Sequence, residues 1–167
     1  MKGSETFKVE ARGDREIVMT RVFHAPRPRV FDAFTKPELV RRWLLGPEGW
    51  TMPVCDIDLR VGGKYRYVWR RDKDGKEMSS HGVFREIVPP ERIVNTEAFD
   101  DPWYEGESEV TTLLVEQGKT TLTTMSMRFA SQKARDAVLK SGMESGVAVS
   151  YDRLQGVLDE AMARGGQ

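Results

Sequence analysis

The chain has 167 residues, enough for one domain with a substantial buried core. Its 26 Lys and Arg balance 26 Asp and Glu, which marks neither a nucleic-acid footprint nor a polybasic membrane patch. A single cysteine, Cys55, rules out an intramolecular disulfide, and no apolar run approaches the ~20 residues of a membrane span. The opening stretch, MKGSETFKVEARGDREIV, has no apolar centre and reads as neither signal peptide nor anchor. The expectation is a cytoplasmic domain.

Residues 1–15 are polar and mixed in charge, and read as a flexible arm or edge segment ahead of a single domain over 16–163, with a short tail at 164–167. Glu16 to His24 reads as a strand with apolar residues on both faces. Pro26 and Pro28 suit a first helical turn, and Val30, Phe31 and Phe34 give the spacing of a short amphipathic helix. Thr35-Lys36-Pro37-Glu38 has the form of a capping box, so a second short helix is placed there with Leu39, Val40, Trp43 and Leu44 inward. The following Gly/Pro loop carries Trp43 and Trp50 on its flanks. Either these indoles are ordinary core, or the loop closes over something apolar.

Strands follow in a run. Thr51 to Leu59 comes first; then Tyr65, Tyr67 and Trp69 alternate with Arg66, Val68 and Arg70. The turn at Asp74-Gly75 lacks the glycine and glutamate positions of a calcium-binding loop. Met78 to Val88, Arg92 to Ala98, Ser108 to Glu116 and Lys119 to Phe129 complete the set, with Trp103 and Tyr104 at the tip of an acidic loop. Ser131 caps a helix through Leu139, and Ser141-Gly142-Met143-Glu144 is a second capping-box form. Beyond it Met143, Val147, Tyr151, Leu154, Leu158 and Ala161 recur on one face of a long helix. Gly146 and Gly156 within it mark close packing or simple tolerance. A long apolar helix on an antiparallel sheet must bury one face against it, and a strongly curved sheet leaves a wedge between the two.

In this order the segments FHAPRPRVFDAFTKPELVRRW, GPEGWT, DIDLRVGGKYRY, HGVFREIVPPERIVNT and SGMESGVAVSYDRL resemble one family. It is the START-like (SRPBCC, birch-pollen-allergen-like) helix-grip superfamily, and within it the group named after the activator of the heat-shock-protein-90 ATPase. One departure is the absence of two aromatic residues directly before Gly46-Pro47, where this chain has Trp43-Leu44-Leu45. The resemblance implies an α+β fold, with about seven antiparallel strands curved around the C-terminal helix and two short helices after the first strand. It implies an internal cavity of the kind that holds lipids, hormones or polyketides, while the namesake stimulates a chaperone and some relatives catalyse cyclisation or dehydration.

Few side chains offer chemistry: His24, His81, Cys55 and carboxylates such as Asp56, Asp58, Glu97 and Glu109. His81, mid-strand, is the candidate for proton transfer or ligand anchoring; a hydrogen-bonded structural histidine is the plainer reading. Two distant histidines and one cysteine form no metal-ligand spacing, and Cys55 reads as a small buried hydrophobe. Neither metal nor cofactor is expected. The leading reading is a non-enzymatic monomer or homodimer binding a small hydrophobic or amphipathic molecule. Its expected lining is Trp43, Trp50, Tyr65, Tyr67, Trp69, His81, Met125, Met127, Met143, Val147, Tyr151 and Leu154. The rivals are a protein-interaction module with a chaperone or other partner, presenting the Trp103-Tyr104 loop or the short-helix pair, and a cavity enzyme using His81.

Overall fold

The computed structural model describes residues 6–165. The first five residues of the expected arm, and the last two of the expected tail, lie outside them. Twelve elements follow in order: β1 (Lys8–Arg12), β2 (Glu16–Phe23), α1 (Arg27–Thr35), α2 (Pro37–Trp43), β3 (Trp50–Ile57), β4 (Lys64–Arg71), β5 (Glu77–Val88), β6 (Arg92–Phe99), β7 (Ser108–Gln117), β8 (Thr120–Arg128), α3 (Gln132–Lys140) and α4 (Met143–Gly165). The strands form one antiparallel sheet ordered β1-β2-β8-β7-β6-β5-β4-β3. Eight strands are present rather than about seven. The additional one, β1, is a mostly exposed charged segment that adds an edge to β2 from Lys8↔Thr20 to Arg12↔Glu16.

Register shifts between Thr51 and Val54 and between Phe84 and Glu86 mark bulges, which bend and twist strands locally. The 23-residue α4, about 35 Å long, buries Ser150, Tyr151, Leu154, Val157 and Leu158. This is the helix-grip arrangement.

Neither capping box is realised. Thr35 is still helical, and its hydroxyl donates to the Phe31 carbonyl four residues back at 2.8 Å. Lys36 is the N-cap of α2, and Pro37 starts that helix with its fixed φ. Ser141 ends α3 by donating to the Val138 carbonyl at 2.6 Å, before Gly142 turns the chain at φ +85°. Ser131 does cap α3, accepting from the Ala134 N–H at 3.1 Å.

Two large groups make up most of the core, beside a small third one of Val40, Met52 and Cys55. One group joins Phe23, Phe31, Trp43, Tyr65, Phe84, Leu114 and Leu154 under the middle of α4. The other joins Ile17, Met19, Val110, Met127, Phe129 and Val138 under α3. Phe7 and Val147 touch both groups.

Candidate functional site

Between these two groups lies a cavity of about 280 Å³. Strand alternation determines which side chains reach it. On β4, Tyr65 and Tyr67 face inward; on β6, Ile93, Asn95, Glu97 and Phe99; on β8, Met125 and Met127. Trp43 closes the α2 side, Met143, Val147 and Tyr151 form the helical wall, and Trp103 and Tyr104 fold in from the β6–β7 loop.

Tyr65 is fixed by its surroundings. Its hydroxyl donates to the Thr96 carbonyl at 2.6 Å and accepts from Asn95 Nδ2 at 3.1 Å. Its ring lies against Gly82, where a Cβ would fall 2.6 Å from Tyr65 Cε2 and 1.9 Å from the Thr96 oxygen. Only glycine fits there. Burial pushes the Tyr65, Tyr67 and Tyr151 hydroxyls well above the ordinary phenol range, so all three stay neutral.

The loop after α2 is tied down from both sides. Trp43 Nε1 donates to the Ala33 carbonyl at 2.9 Å, and Trp69 Nε1 to the Leu44 carbonyl at 2.7 Å. The Gly46 N–H donates to Ser150 Oγ at 2.8 Å, and Arg153 Nη1 to the Gly46 carbonyl at 2.7 Å. Backbone of the loop is thereby held to α4. Gly146 meets only Pro47 Cδ, at an ordinary 3.8 Å from where a Cβ would sit, and Gly156 meets nothing within 4 Å.

Eight residues of the expected lining therefore surround one space: Trp43, Tyr65, Tyr67, Met125, Met127, Met143, Val147 and Tyr151. The other four are placed elsewhere. Trp50 begins β3 opposite Arg71, whose guanidinium sits 5.6 Å from its ring centre at the outer end of the sheet. Trp69 shares the inward face of β4, but α2 covers it, and it packs against the group Val40, Met52 and Cys55. Leu154 is wholly buried about one turn beyond Tyr151, in the core group under α4 and outside the cavity lining.

His81 is on the opposite face. Ser80, Gly82 and Phe84 take the inward positions of β5, which turns His81 to the exterior with half its side chain exposed. There its Nδ1 lies 2.6 Å from Asp100 Oδ1, while Arg66 Nη2 and Ser79 Oγ reach Oδ2 at 2.5 and 2.7 Å. The Arg66 hydrogen bond, with those from Ser79 and His81, holds the Asp100 carboxyl down at about 2. This is a surface network, and His81 is no cavity acid or base. His24 is exposed, and its backbone N–H donates to Gln155 Oε1.

Of the carboxylates considered, Glu97 lines the cavity. Burial pushes its carboxyl up to about 7. Trp103 and Tyr104 also differ from expectation. Tyr104 packs edge-on against Trp103 and Phe129, with ring centres 5.0 and 5.6 Å apart, and Phe99 lies 6.1 Å from both Trp103 and Tyr104. The loop forms an aromatic rim on the cavity, with Trp103 45 % exposed at its edge. Among the described residues, no group of three or more His, Cys, Asp or Glu side chains is arranged to hold a metal ion. No helix among the described residues is long and apolar enough to cross a membrane.

Similar architecture recurs in solved structures. A crystal structure of a Rhodobacter sphaeroides protein is 28% identical, with a TM-score of 0.87 over 93% of this chain and 99% of that one. A Chromobacterium violaceum protein is also 28% identical, with a TM-score of 0.78 over 88% of this chain and 99% of that one. An Arthrobacter aurescens protein solved by NMR is 25% identical, with a TM-score of 0.80 over 92% and 91% of the two chains. A search of curated proteins found no significant match. Residues 24–159 match the family described as activator of Hsp90 ATPase homolog 1-like protein, and the chain belongs to that family.

Proposed function

We propose that the protein is a cytoplasmic binding protein that holds a small hydrophobic or amphipathic molecule between the sheet and α4. One observation carries this: the space between the two large core groups is walled almost entirely by aromatic, aliphatic and thioether side chains. Well-packed interiors leave few voids larger than a water molecule, and a space bounded by apolar groups gives water few partners. An apolar molecule is its natural occupant. Burying a few hundred Å² of ligand at about 25 cal/mol per Å² supports micromolar binding after association costs. The flexible Met125, Met127 and Met143 side chains suit a wall that adapts to its contents.

The family's namesake chemistry, stimulation of a chaperone, is the second reading. Of the two surfaces it could use, the Trp103-Tyr104 loop is drawn toward the cavity, with Tyr104 in its lining and Trp103 along its rim, which leaves the α1–α2 pair to that reading.

Thermal melting with fatty acids, sterols and aromatic polyketides tests the binding reading, because a ligand of the folded state raises the midpoint. Val147→Trp fills the space and should weaken binding while leaving the unliganded fold intact. If no compound shifts the midpoint and Val147→Trp destabilises by roughly 1–3 kcal/mol, as in a packed core, the proposal fails.

A further inference from the structure

A site for a purely apolar molecule has no use for Glu97. The side chain stands on the cavity face of β6, between Asn95 and Phe99 in the alternation, and no hydrogen bond or ion pair from the described residues reaches its carboxyl. The donors of Asn95 and Tyr65 are spent elsewhere. Asn95 Nδ2 donates to the Tyr65 hydroxyl and the Thr96 carbonyl, both at 3.1 Å, and the Tyr65 hydroxyl proton goes to that same carbonyl. Among the described residues, no Lys, Arg or His lines the cavity. The buried cation on the inner face, Arg21, is paired with Asp152 at 3.1 Å. An unpaired carboxyl in such a place disfavours the fold, whereas a hydrocarbon side chain would not.

What would satisfy it must come from the ligand. Two residues along β6, Phe99 joins Trp103 and Tyr104 in the aromatic rim, and Tyr67 faces the same space from β4. Aromatic faces attract cations, and a carboxylate among them adds a charge-assisted hydrogen bond. Resting on the binding reading above, we infer that the ligand is a lipophilic amine, its hydrocarbon body in the cavity and its ammonium group on the Glu97 carboxylate beside the Phe99–Trp103–Tyr104 rim. A fatty acid or other anion would meet Glu97 with like charge. Among the described residues, the ionisable groups that share the cavity with Glu97 are Tyr65 and Tyr67 from β4, Tyr104 from the loop and Tyr151 from α4, all held neutral by burial; Tyr104 is pushed up to about 12.

Decylamine, decanol and decanoate share one hydrocarbon body and differ in headgroup. Their affinities can be read from indole fluorescence, since Trp43 and Trp103 both line the cavity. At about pH 8 the amine should bind about tenfold more tightly than the alcohol, the worth of a charge-assisted hydrogen bond, and decanoate most weakly. Glu97→Gln should abolish the amine's advantage over decanol. Should that variant not fold, the unmodified protein carries the test. Decylamine stays protonated at about pH 5.5 while Glu97 takes up its proton, so the advantage should disappear there. An amine that binds no better than the alcohol overturns the inference, as does an advantage that survives Glu97→Gln or the acid condition. If none of the three binds, the cavity reading itself fails; if decanol binds but the amine has no advantage, only the headgroup assignment does.

Discussion

Arg21 on β2 reaches across to Asp152 on α4, its Nη2 3.1 Å from Oδ1, with the guanidinium 1 % exposed and the carboxylate 54 % exposed. The two ends of this pair therefore have different environments. Among the described residues, Arg21 Nε and Nη1 have no hydrogen-bond partner, nor has the hydroxyl of Thr123, its cross-strand neighbour. The guanidinium lies over the Phe23 ring at 5.2 Å.

Removing Asp152 strands a buried cation, whereas removing Arg21 leaves a carboxylate in water. Asp152→Ala should lower stability by about 2 kcal/mol, less than for a wholly buried pair because the carboxylate is half-solvated. Arg21→Met, which keeps the packing on Phe23, should stay within about 1 kcal/mol of the unmodified protein. Urea denaturation of both variants checks this. Equal losses would show that the pair itself, and not the buried charge, sets the energetics.

Gly82 and Gly156 should respond to alanine in opposite directions. At Gly82 the new Cβ meets backbone oxygen and the Tyr65 ring at once, so Gly82→Ala should destabilise by roughly 3 kcal/mol and loosen the Tyr65 wall. Gly156 is exposed on α4 with nothing within 4 Å, so Gly156→Ala should stabilise by about 1 kcal/mol through helix propensity alone. Melting temperatures of the two variants give the signs directly.

Cys55 is 4 % exposed, and burial pushes its thiol up to about 11. Thiolate, the reactive form, is scarce at neutral pH, so a maleimide should label the native protein slowly and the urea-unfolded chain fast. Rapid native labelling would contradict the packing against Val40 and Met52.

Element order was legible because periodicity changes sharply along the chain: Tyr65, Tyr67 and Trp69 alternate at two, and Met143, Val147, Tyr151 and Leu154 at three and four. Face selection was harder. Around Ser80-His81-Gly82 no residue is apolar, so the pattern contained no signal that His81 points outward; the fixed position of Phe84 and the pairing with β4 and β6 decide it. On β6 both faces contain apolar residues, Ile93 and Phe99 against Val94 and Ala98, which hid the inward turn of Glu97. Trp103 and Tyr104 lie in a loop, where no period exists and only tertiary contact with Phe99 and Phe129 draws them inward. Trp69 follows the right period but falls under α2, because alternation gives a face and not a neighbour.

Glu97 leaves a mark on stability that needs no ligand to detect. In the unfolded chain its carboxyl ionises near 4.5, and in the fold burial moves this to about 7. Below the first value both states hold the proton, and Glu97 contributes nothing to pH dependence. Between the two the fold keeps a proton that the unfolded chain has released, so stability falls as pH rises. Above the second value the buried carboxylate opposes folding in full, by up to roughly 3 kcal/mol at 1.36 kcal/mol per pH unit. Glu97→Gln keeps the shape and removes the charge. Without ligand it should be more stable than the unmodified protein at about pH 8 and indistinguishable from it near pH 4, read from urea midpoints across the range. The strongly held Asp74 and Asp100 carboxyls titrate in more acid solution and are common to both proteins, so they cancel in the difference. A difference that does not grow with pH would mean that Glu97 is already satisfied within the fold, and the amine assignment would lose its premise.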